Sequence, residues 1–112
     1  MNSNELKIGY VFYNDTFAGI ITEDNEGYTF KYDSTYVSSN NPPISLTLPL
    51  TENEYHSNIL FPFFDGLIPE GWLLKIALEE YNLKVRDRFK LLLFTCEDCI
   101  GAVSIRRTLR NG

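Results

Sequence analysis

This 112-residue sequence has only two cysteines and one histidine. These are the residues from which most metal sites and redox centres are built. Cys96 and Cys99 have the CxxC spacing of a redox pair or of half a metal site. A zinc site needs two further ligands, however, and the chain offers only His56 and carboxylates. Glu97 and Asp98 lie between the thiols and disfavour the thiolate on which redox activity depends. The sequence favours two reduced thiols, with no metal and no cofactor, and a CxxC redox or metal protein is only the third hypothesis.

Long apolar runs and basic character are missing as well. No run reaches membrane-spanning length and the N-terminus lacks the pattern of a signal peptide, so a cytoplasmic protein without a membrane partner is expected. The formal net charge of −5 and the pI near 4.8 disfavour attraction to nucleic acid. Basic residues cluster in 84–90 and 106–110, which is typical of a solvated face or a protein contact. We therefore do not expect direct nucleic-acid binding. The second hypothesis, which we rank below a protein contact, is a binding module for nucleic acid or peptide built on the small sheet.

Patterns that mark an enzyme are also absent. The sequence shows no glycine-rich phosphate loop and no set of lysine and carboxylates typical of a nucleotide-binding enzyme. His56 falls in a polar stretch, 51–58, with no nearby nucleophile pattern, and is interpreted as a solvated loop residue. Asp65 and Glu70 are better explained as a turn former and a helix-start carboxylate than as a paired acid and base. We therefore expect no catalytic residues and no enzymatic activity.

The residues that are present predict one α+β domain spanning 1–112. With 44% hydrophobic residues, the chain is long enough for a single modest core. The pattern predicts a small antiparallel sheet, a meander that is partly barrel-like, covered by an αα-hairpin and completed by a late C-terminal strand. The predicted strands are 6–14, 17–23, 28–32, 44–48 and 100–109. One predicted helix begins near Pro69, and a second spans 85–94.

Alternation along the strands predicts which side chains face the core. In the first strand the strongly apolar face is Leu6, Ile8, Tyr10 and Phe12; in 44–48 it is Ile44, Leu46 and Leu48; and in the last strand Val103 and Ile105 share a side. Asn14-Asp15 and the stretch 24–27 predict turns. The polar stretch 33–41 is expected to form one helical turn that buries Tyr36 and Val37.

The stretch Ile59–Leu74 concentrates bulky apolar residues with Pro and Gly, and it contains the single Trp. Pro69 suits the first turn of a helix, which places Glu70 near the positive helix end. A helical wheel puts one set of residues on the core side, and Trp72 and Ile76 on the opposite, charged side. The predicted core side consists of Leu73, Leu74, Ala77, Leu78 and Tyr81; in the next helix it consists of Val85, Phe89, Leu92 and Leu93. Trp72 is then either covered by the preceding Phe-rich run or exposed as an anchor for a partner, because Trp is enriched among residues that dominate binding energy.

Three motifs in this order resemble the N-terminal domain of the HipA family of serine/threonine kinase toxins. They are PPISLTLPL (42–50), FFDGLIPEG (63–71) and DCIGAV (98–103), and the GIITE of the first hairpin (19–23) is also similar. The match covers nearly the whole chain, and three linked motifs are far more specific than one. Members of the family often have Asn and Leu where this chain has Gly66 and Ile68. Trp72, directly after the second motif, is not part of the general family pattern.

In that family the domain precedes a large kinase-like portion, and this chain is expected to stop where that portion would start. It then resembles HipS, the small antitoxin of tripartite HipBST modules. The resemblance implies that the partner is a HipT-like serine/threonine kinase, with a HipB-like DNA-binding protein in a ternary complex. The alternative is an N-terminal structural or regulatory fragment of a full-length HipA-like toxin. The predicted partner-binding residues are Phe63, Asp65, Pro69, Glu70, Gly71, Trp72 and Ile76, with no catalytic, cofactor or metal residues.

Overall fold

A computed structural model describes residues 7–96 and 101–109, without the side chain of Trp72. Cys99 of the CxxC pair therefore lies outside the described residues. The strands are β1 (Lys7–Tyr13), β2 (Thr16–Asp24), β3 (Gly27–Tyr32), β4 (Tyr55–Ser57) and β5 (Val103–Arg106). The helices are α1 (Ser34–Ser38), α2 (Pro62–Asp65), α3 (Gly71–Glu80) and α4 (Arg88–Thr95).

The five strands form one antiparallel sheet in the order β4-β3-β2-β1-β5. The sheet is open, with β4 and β5 at its edges, and the predicted α+β fold is confirmed. Asn14 and Asp15 connect β1 to β2 with φ values of 49° and 70°. Positive φ at both central residues is what a two-residue hairpin turn requires, and Asn and Asp tolerate it better than most residues. The residues of this turn therefore favour the first hairpin of the predicted meander.

The predicted core face of β1 is wrong for Ile8 and Tyr10, whereas Phe12 is buried as predicted and Leu6 lies outside the described residues. A Cβ atom on Gly9 would lie 2.9 Å from the Leu93 side chain of α4, so the Gly9 face is the one that the helices cover. Val11, on the same face, is fully buried, whereas Ile8 and Tyr10 are half-buried on the outer face. A β-bulge follows Val11 and shifts the register. Because both faces of β1 are apolar, alternation did not identify the inner one.

The predicted strand 44–48 is also wrong, and the structure has a tight turn there. Ser45 and Leu48 form an isolated bridge, and the Leu48 amide donates to the Ser45 carbonyl at 3.1 Å. Ile44 and Leu48 are buried, but Leu46, predicted to face inward, is 94% exposed. The fourth strand is instead β4, in the stretch expected to be a loop, so that His56 is an exposed strand residue.

Helix α1 fulfils the prediction for the polar stretch 33–41. The Asp33 carboxylate accepts a hydrogen bond from the Tyr36 amide at 3.2 Å, which is the usual role of an N-cap residue. Tyr36 is buried, stacks on Tyr32 at 5.9 Å and donates its hydroxyl proton to the Pro42 carbonyl at 2.6 Å. Val37 is partly buried against the same core. The helical turn thus connects the end of β3 to the 44–48 turn.

Helices α3 and α4 begin close to their predicted positions, and α2 is an additional short helix. On α4, Phe89 and Leu92 are buried and Leu93 is partly buried, as expected. Val85 is 56% exposed in the link before α4, so its predicted core position is wrong. Val103 is buried on the helix-covered side of β5, as is Ile105. The core therefore lies between the inner sheet face and the layer that contains α2, α4 and the 44–48 turn.

Candidate partner-binding site

Helix α2 is attached to the sheet by aromatic packing. Pro62 occupies its first turn, where a missing amide hydrogen costs nothing. Phe64 is fully buried, with its ring centroid 5.5 Å from Phe30 of the sheet. Phe63, a predicted partner-binding residue, is partly buried and packs edge-on against Phe64 at 5.2 Å. Phe63 therefore belongs mainly to the support of the site.

Asp65 ties α2 to the start of α4. Its Oδ1 accepts a hydrogen bond from Arg88 Nε at 2.7 Å, and both side chains are partly exposed. Exposed pairs of this kind contribute about 0–1 kcal/mol. Burial, a hydrogen bond to Glu23 and the charges of Glu23 and Asp65 together raise the pKa of Tyr28 to about 12. Asp65, predicted to bind a partner, is thus engaged within the domain.

The stretch from 66 to 71 leads from α2 to α3. Ile68 is buried and Pro69 is half-buried, whereas Glu70 is exposed at the N-cap of α3. Gly71 has a φ of +64°, a value that residues other than Gly rarely adopt. A Cβ there would meet no atom within 4 Å, so the requirement for Gly is conformational and not steric. The chain therefore enters α3 through a backbone turn that fixes the helix direction.

Helix α3 covers the core with one side and leaves apolar residues on the other. Ala77 is buried, and Leu74 and Leu78 are partly buried, as predicted. Leu73 was predicted to face the core but is 52% exposed, beside Ile76, which is 46% exposed. We call Leu73 and Ile76 the uncovered α3 face. The side chain of Trp72 lies outside the described part of the structure, so its role stays a prediction.

Tyr81, also predicted to face the core, lies at the surface in an aromatic stack. Its ring is 4.8 Å from that of Phe94, at an interplanar angle of 18°, and Tyr81 is 42% exposed. The Arg107 guanidinium lies 4.7 Å from the Phe94 ring. The stack joins the end of α3 to the end of α4 and to the segment after β5. Tyr81 therefore holds the end of α3 against α4.

Cys96 has a structural position. It is fully buried, and its thiol donates to the Leu67 carbonyl at 3.3 Å, which connects the end of α4 to the turn after α2. Within residues 7–96 and 101–109, no group of three or more His, Cys, Asp or Glu residues could hold a metal ion. A helix long and apolar enough to cross a membrane is likewise not found among these residues.

A groove lies on the outer sheet face. It is lined by apolar, hydroxyl and charged side chains, among them Phe17, Ile20, Lys31 and Glu54. Lys31 Nζ donates to the Glu52 carbonyl at 2.8 Å. Small-molecule sites usually have a few buried polar groups that converge on the ligand. In the described part of the chain, no buried side-chain polar atom is left unsatisfied.

Of the seven predicted partner-binding residues, Glu70, Gly71 and Ile76 are exposed around the start of α3, and Pro69 is half-buried next to them. Phe63 and Asp65 support this region from α2. The prediction missed Leu73, because α3 is apolar around most of its circumference and a helical wheel has no clear boundary there. The arrangement leaves Leu73 and Ile76 exposed on the same helix as the exposed Glu79 and Glu80.

Comparisons with known proteins identify relatives of this fold. Residues 9–106 match the HipA N-terminal domain family. A solved structure, described as the N-terminal domain of HipA toxin, is 29% identical with a TM-score of 0.73, and the match covers 99% of this chain and 100% of that chain. An uncharacterized protein of Haemophilus influenzae is 38% identical over 102 residues, which are 90% of this chain and 92% of that protein.

Proposed function

Because this chain belongs to the HipA N-terminal domain family, we propose that it is an antitoxin which binds and inhibits a separate HipA-like serine/threonine kinase. The inhibition is by protein–protein contact, and the chain itself catalyses no reaction. The kinase partner is of the HipT type, and a HipB-like DNA-binding protein joins the two in a ternary complex. The relative from Haemophilus influenzae supports a stand-alone domain, since the match spans 92% of that protein.

The uncovered α3 face is the observation that carries this proposal. Leu73 and Ile76 are about half exposed on α3, next to the side on which Ala77, Leu74 and Leu78 pack on the core. An apolar patch on a preformed helix loses less conformational entropy when a partner covers it than a flexible segment does. Trp72 precedes Ile76 by about one helical turn and would add a large anchor to the same patch.

The charges around this face support a kinase as the partner. Glu70, Glu79 and Glu80 are exposed on or next to α3, with Lys75 as the cation between them. A cleft that binds ATP phosphates carries basic groups, so the two surfaces are complementary. Such complementarity mainly increases the association rate, and salt screens it. The association rate with the kinase is therefore expected to fall as ionic strength rises.

The experiment uses this chain and a HipA-like kinase whose reading frame lies next to its own, as the proposed function requires. Trp72→Ala should weaken inhibition of kinase autophosphorylation by about 2 kcal/mol or more, because a central aromatic anchor is lost. The melting temperature should stay unchanged, and Ile59→Ala, which alters an exposed residue before α2, should inhibit like the wild type. Unfolding of the Trp72 variant would mean that the indole belongs to the core and that the site is wrongly assigned.

A second candidate function is supported by the matched structure. That structure is described as the N-terminal domain of HipA toxin, which favours a structural or regulatory part of a full-length kinase toxin. An antibody against the domain distinguishes the two in cell extract of the source organism. The antitoxin predicts a band near 12.9 kDa, whereas the toxin fragment predicts a much larger polypeptide.

A further inference from the structure

The tight turn 44–48 presents a single leucine to solvent. Leu46 is 94% exposed, more than any other large hydrophobic residue in the described part of the chain. Scattered apolar residues on a surface are ordinary. Leu46 differs from them because the residues on both sides are fixed: Ile44 and Leu48 are buried, and Pro43 and Pro49 restrict the backbone at either end.

Hydrogen bonds hold this turn from below and across its tip. The Ile44 amide donates to the Tyr32 hydroxyl at 3.0 Å, and that hydroxyl donates to the Leu48 carbonyl. Across the tip, the Ser45 and Thr47 hydroxyls are 2.9 Å apart, and the Thr47 amide donates to Ser45 Oγ at 3.1 Å. Leu46 is therefore held on a preorganised turn, so that its burial by a partner would order little additional chain.

The stretch of sequence around Leu46 carries no charge. Residues 34–51 contain no Asp, Glu, Lys, Arg or His, although 22% of the chain is charged. The exposed side chains beside the turn include Ser39, Asn40 and Thr47, which can donate and accept hydrogen bonds. Depletion of charged residues is a feature of the buried centre of protein interfaces. The composition therefore fits a protein partner and not a charged ligand.

The turn and the uncovered α3 face lie on the same side of the sheet. Tyr32, which holds the turn, packs against Phe30 at 4.8 Å, and Phe30 packs against Phe64 of α2 at 5.5 Å. The turn is thus part of the layer that contains the helices. A five-residue turn is far too small for the roughly 800 Å² that a stable interface buries on each partner. A partner that uses Leu46 must therefore contact more of this layer, and the exposed apolar residues of α3 are in it.

We propose that the 44–48 turn is a second contact for the kinase, with Leu46 inserted into an apolar pocket on the kinase surface. This inference rests on the proposed antitoxin function and extends it from α3 to a two-point contact. A kinase held at two points is fixed in orientation, whereas α3 alone would leave it able to rotate about a single patch. The uncharged turn supplies affinity without the cost of desolvating charges.

The test measures the affinity of the purified chain for the same HipA-like kinase. Leu46→Asp should raise the Kd at least tenfold, because a carboxylate cannot enter an apolar pocket without a partner. Leu46→Met should bind within twofold of the wild type, because it keeps an apolar side chain of similar volume. Leu109→Asp is the matched control, since it places the same charge at another exposed leucine and should leave the Kd unchanged.

The outcomes separate this inference from the proposed function. If the wild type binds the kinase and Leu46→Asp binds equally well, the second contact is wrong and the antitoxin proposal stands. If the wild type does not bind the kinase, both are wrong. If Leu46→Asp instead abolishes self-association without changing the Kd for the kinase, the turn contacts a second copy and the inference is overturned. Melting temperatures of all variants should match, because Leu46 contributes almost nothing to the core.

Discussion

Apolar side chains are exposed to different degrees on the outer sheet face and in the helical layer of this domain. On the outer sheet face, Tyr10 and Phe17 are half-buried because neighbouring rings cover one another, with centroids 6.4 Å apart. On the helical side, Leu46, Leu73 and Ile76 extend into solvent from well-anchored elements. Both layers contribute buried residues to the core, but the helical layer also leaves apolar side chains exposed, and these are the side chains that the proposed function uses for contact.

The largest expected effect tests the sheet side of this comparison. Phe30→Ala should lower the free energy of unfolding by about 3–5 kcal/mol, because a fully buried ring in contact with Tyr32 and Phe64 is removed. Chemical denaturation measures the change. Leu46→Ala is the matched control and should leave stability within error. Equal losses from both variants would contradict this difference between buried and exposed side chains.

The next effect tests how firmly the 44–48 turn is attached. Tyr32→Phe should cost about 1–3 kcal/mol, because the Ile44 amide and the Leu48 carbonyl lose their shared partner. Denaturation gives the stability, and amide hydrogen exchange at Ile44 should accelerate. Unchanged exchange would show that the buried side chains alone hold the turn. Tyr55→Phe, which removes a hydroxyl bonded to the Pro49 carbonyl at an exposed position, is the control.

An alkaline titration probes the same attachment with a smaller effect. Burial raises the pKa of Tyr32 to about 12, from the ordinary value of 10 that holds in the unfolded chain. The folded state therefore keeps its proton longer, so this stabilisation is complete below pH 10 and is lost as the pH rises towards 12. Denaturation midpoints measured between pH 9 and 12 should fall less steeply in Tyr32→Phe. Identical slopes would argue against this origin, although Tyr28 contributes in both proteins.

The smallest effect concerns the entry to α3. Gly71→Ala should destabilise the domain by about 1 kcal/mol, because the positive φ at this position is strained for a residue with a Cβ. Gly66→Ala is the control, since Gly66 has an ordinary helical φ of −69°, and its own cost comes only from a Cβ placed 3.3 Å from the Pro62 carbonyl oxygen. If Gly71→Ala keeps the stability of the domain but binds the kinase more weakly, the turn serves to orient α3. Equal behaviour of the two variants would remove that role.

The sequence predicts those elements of the fold that neighbouring residues encode, and it fails where distant residues decide. The turns at 14–15 and 24–27 and the short helix that buries Tyr36 are encoded by adjacent residues, and all were predicted. The alternation Ile44, Leu46, Leu48 was misread because a tight turn also buries both of its ends. Leu73 and Tyr81 were misplaced since what covers a helix is decided by distant elements. Trp72 and the partner contacts stay predictions, because they depend on a second molecule.

One consequence of the sheet order concerns the synthesis of the protein. Strand β1 pairs with β5, so Tyr10 lies opposite Arg106, nearly the whole length of the chain away. On the ribosome, the first strand to emerge must therefore wait for the last one before its outer side is paired. Any nascent or prematurely terminated polypeptide that lacks β5 exposes β1 as an unpaired edge, which promotes aggregation. A chain that stops before Arg106 is therefore expected to aggregate more readily than one that includes β5.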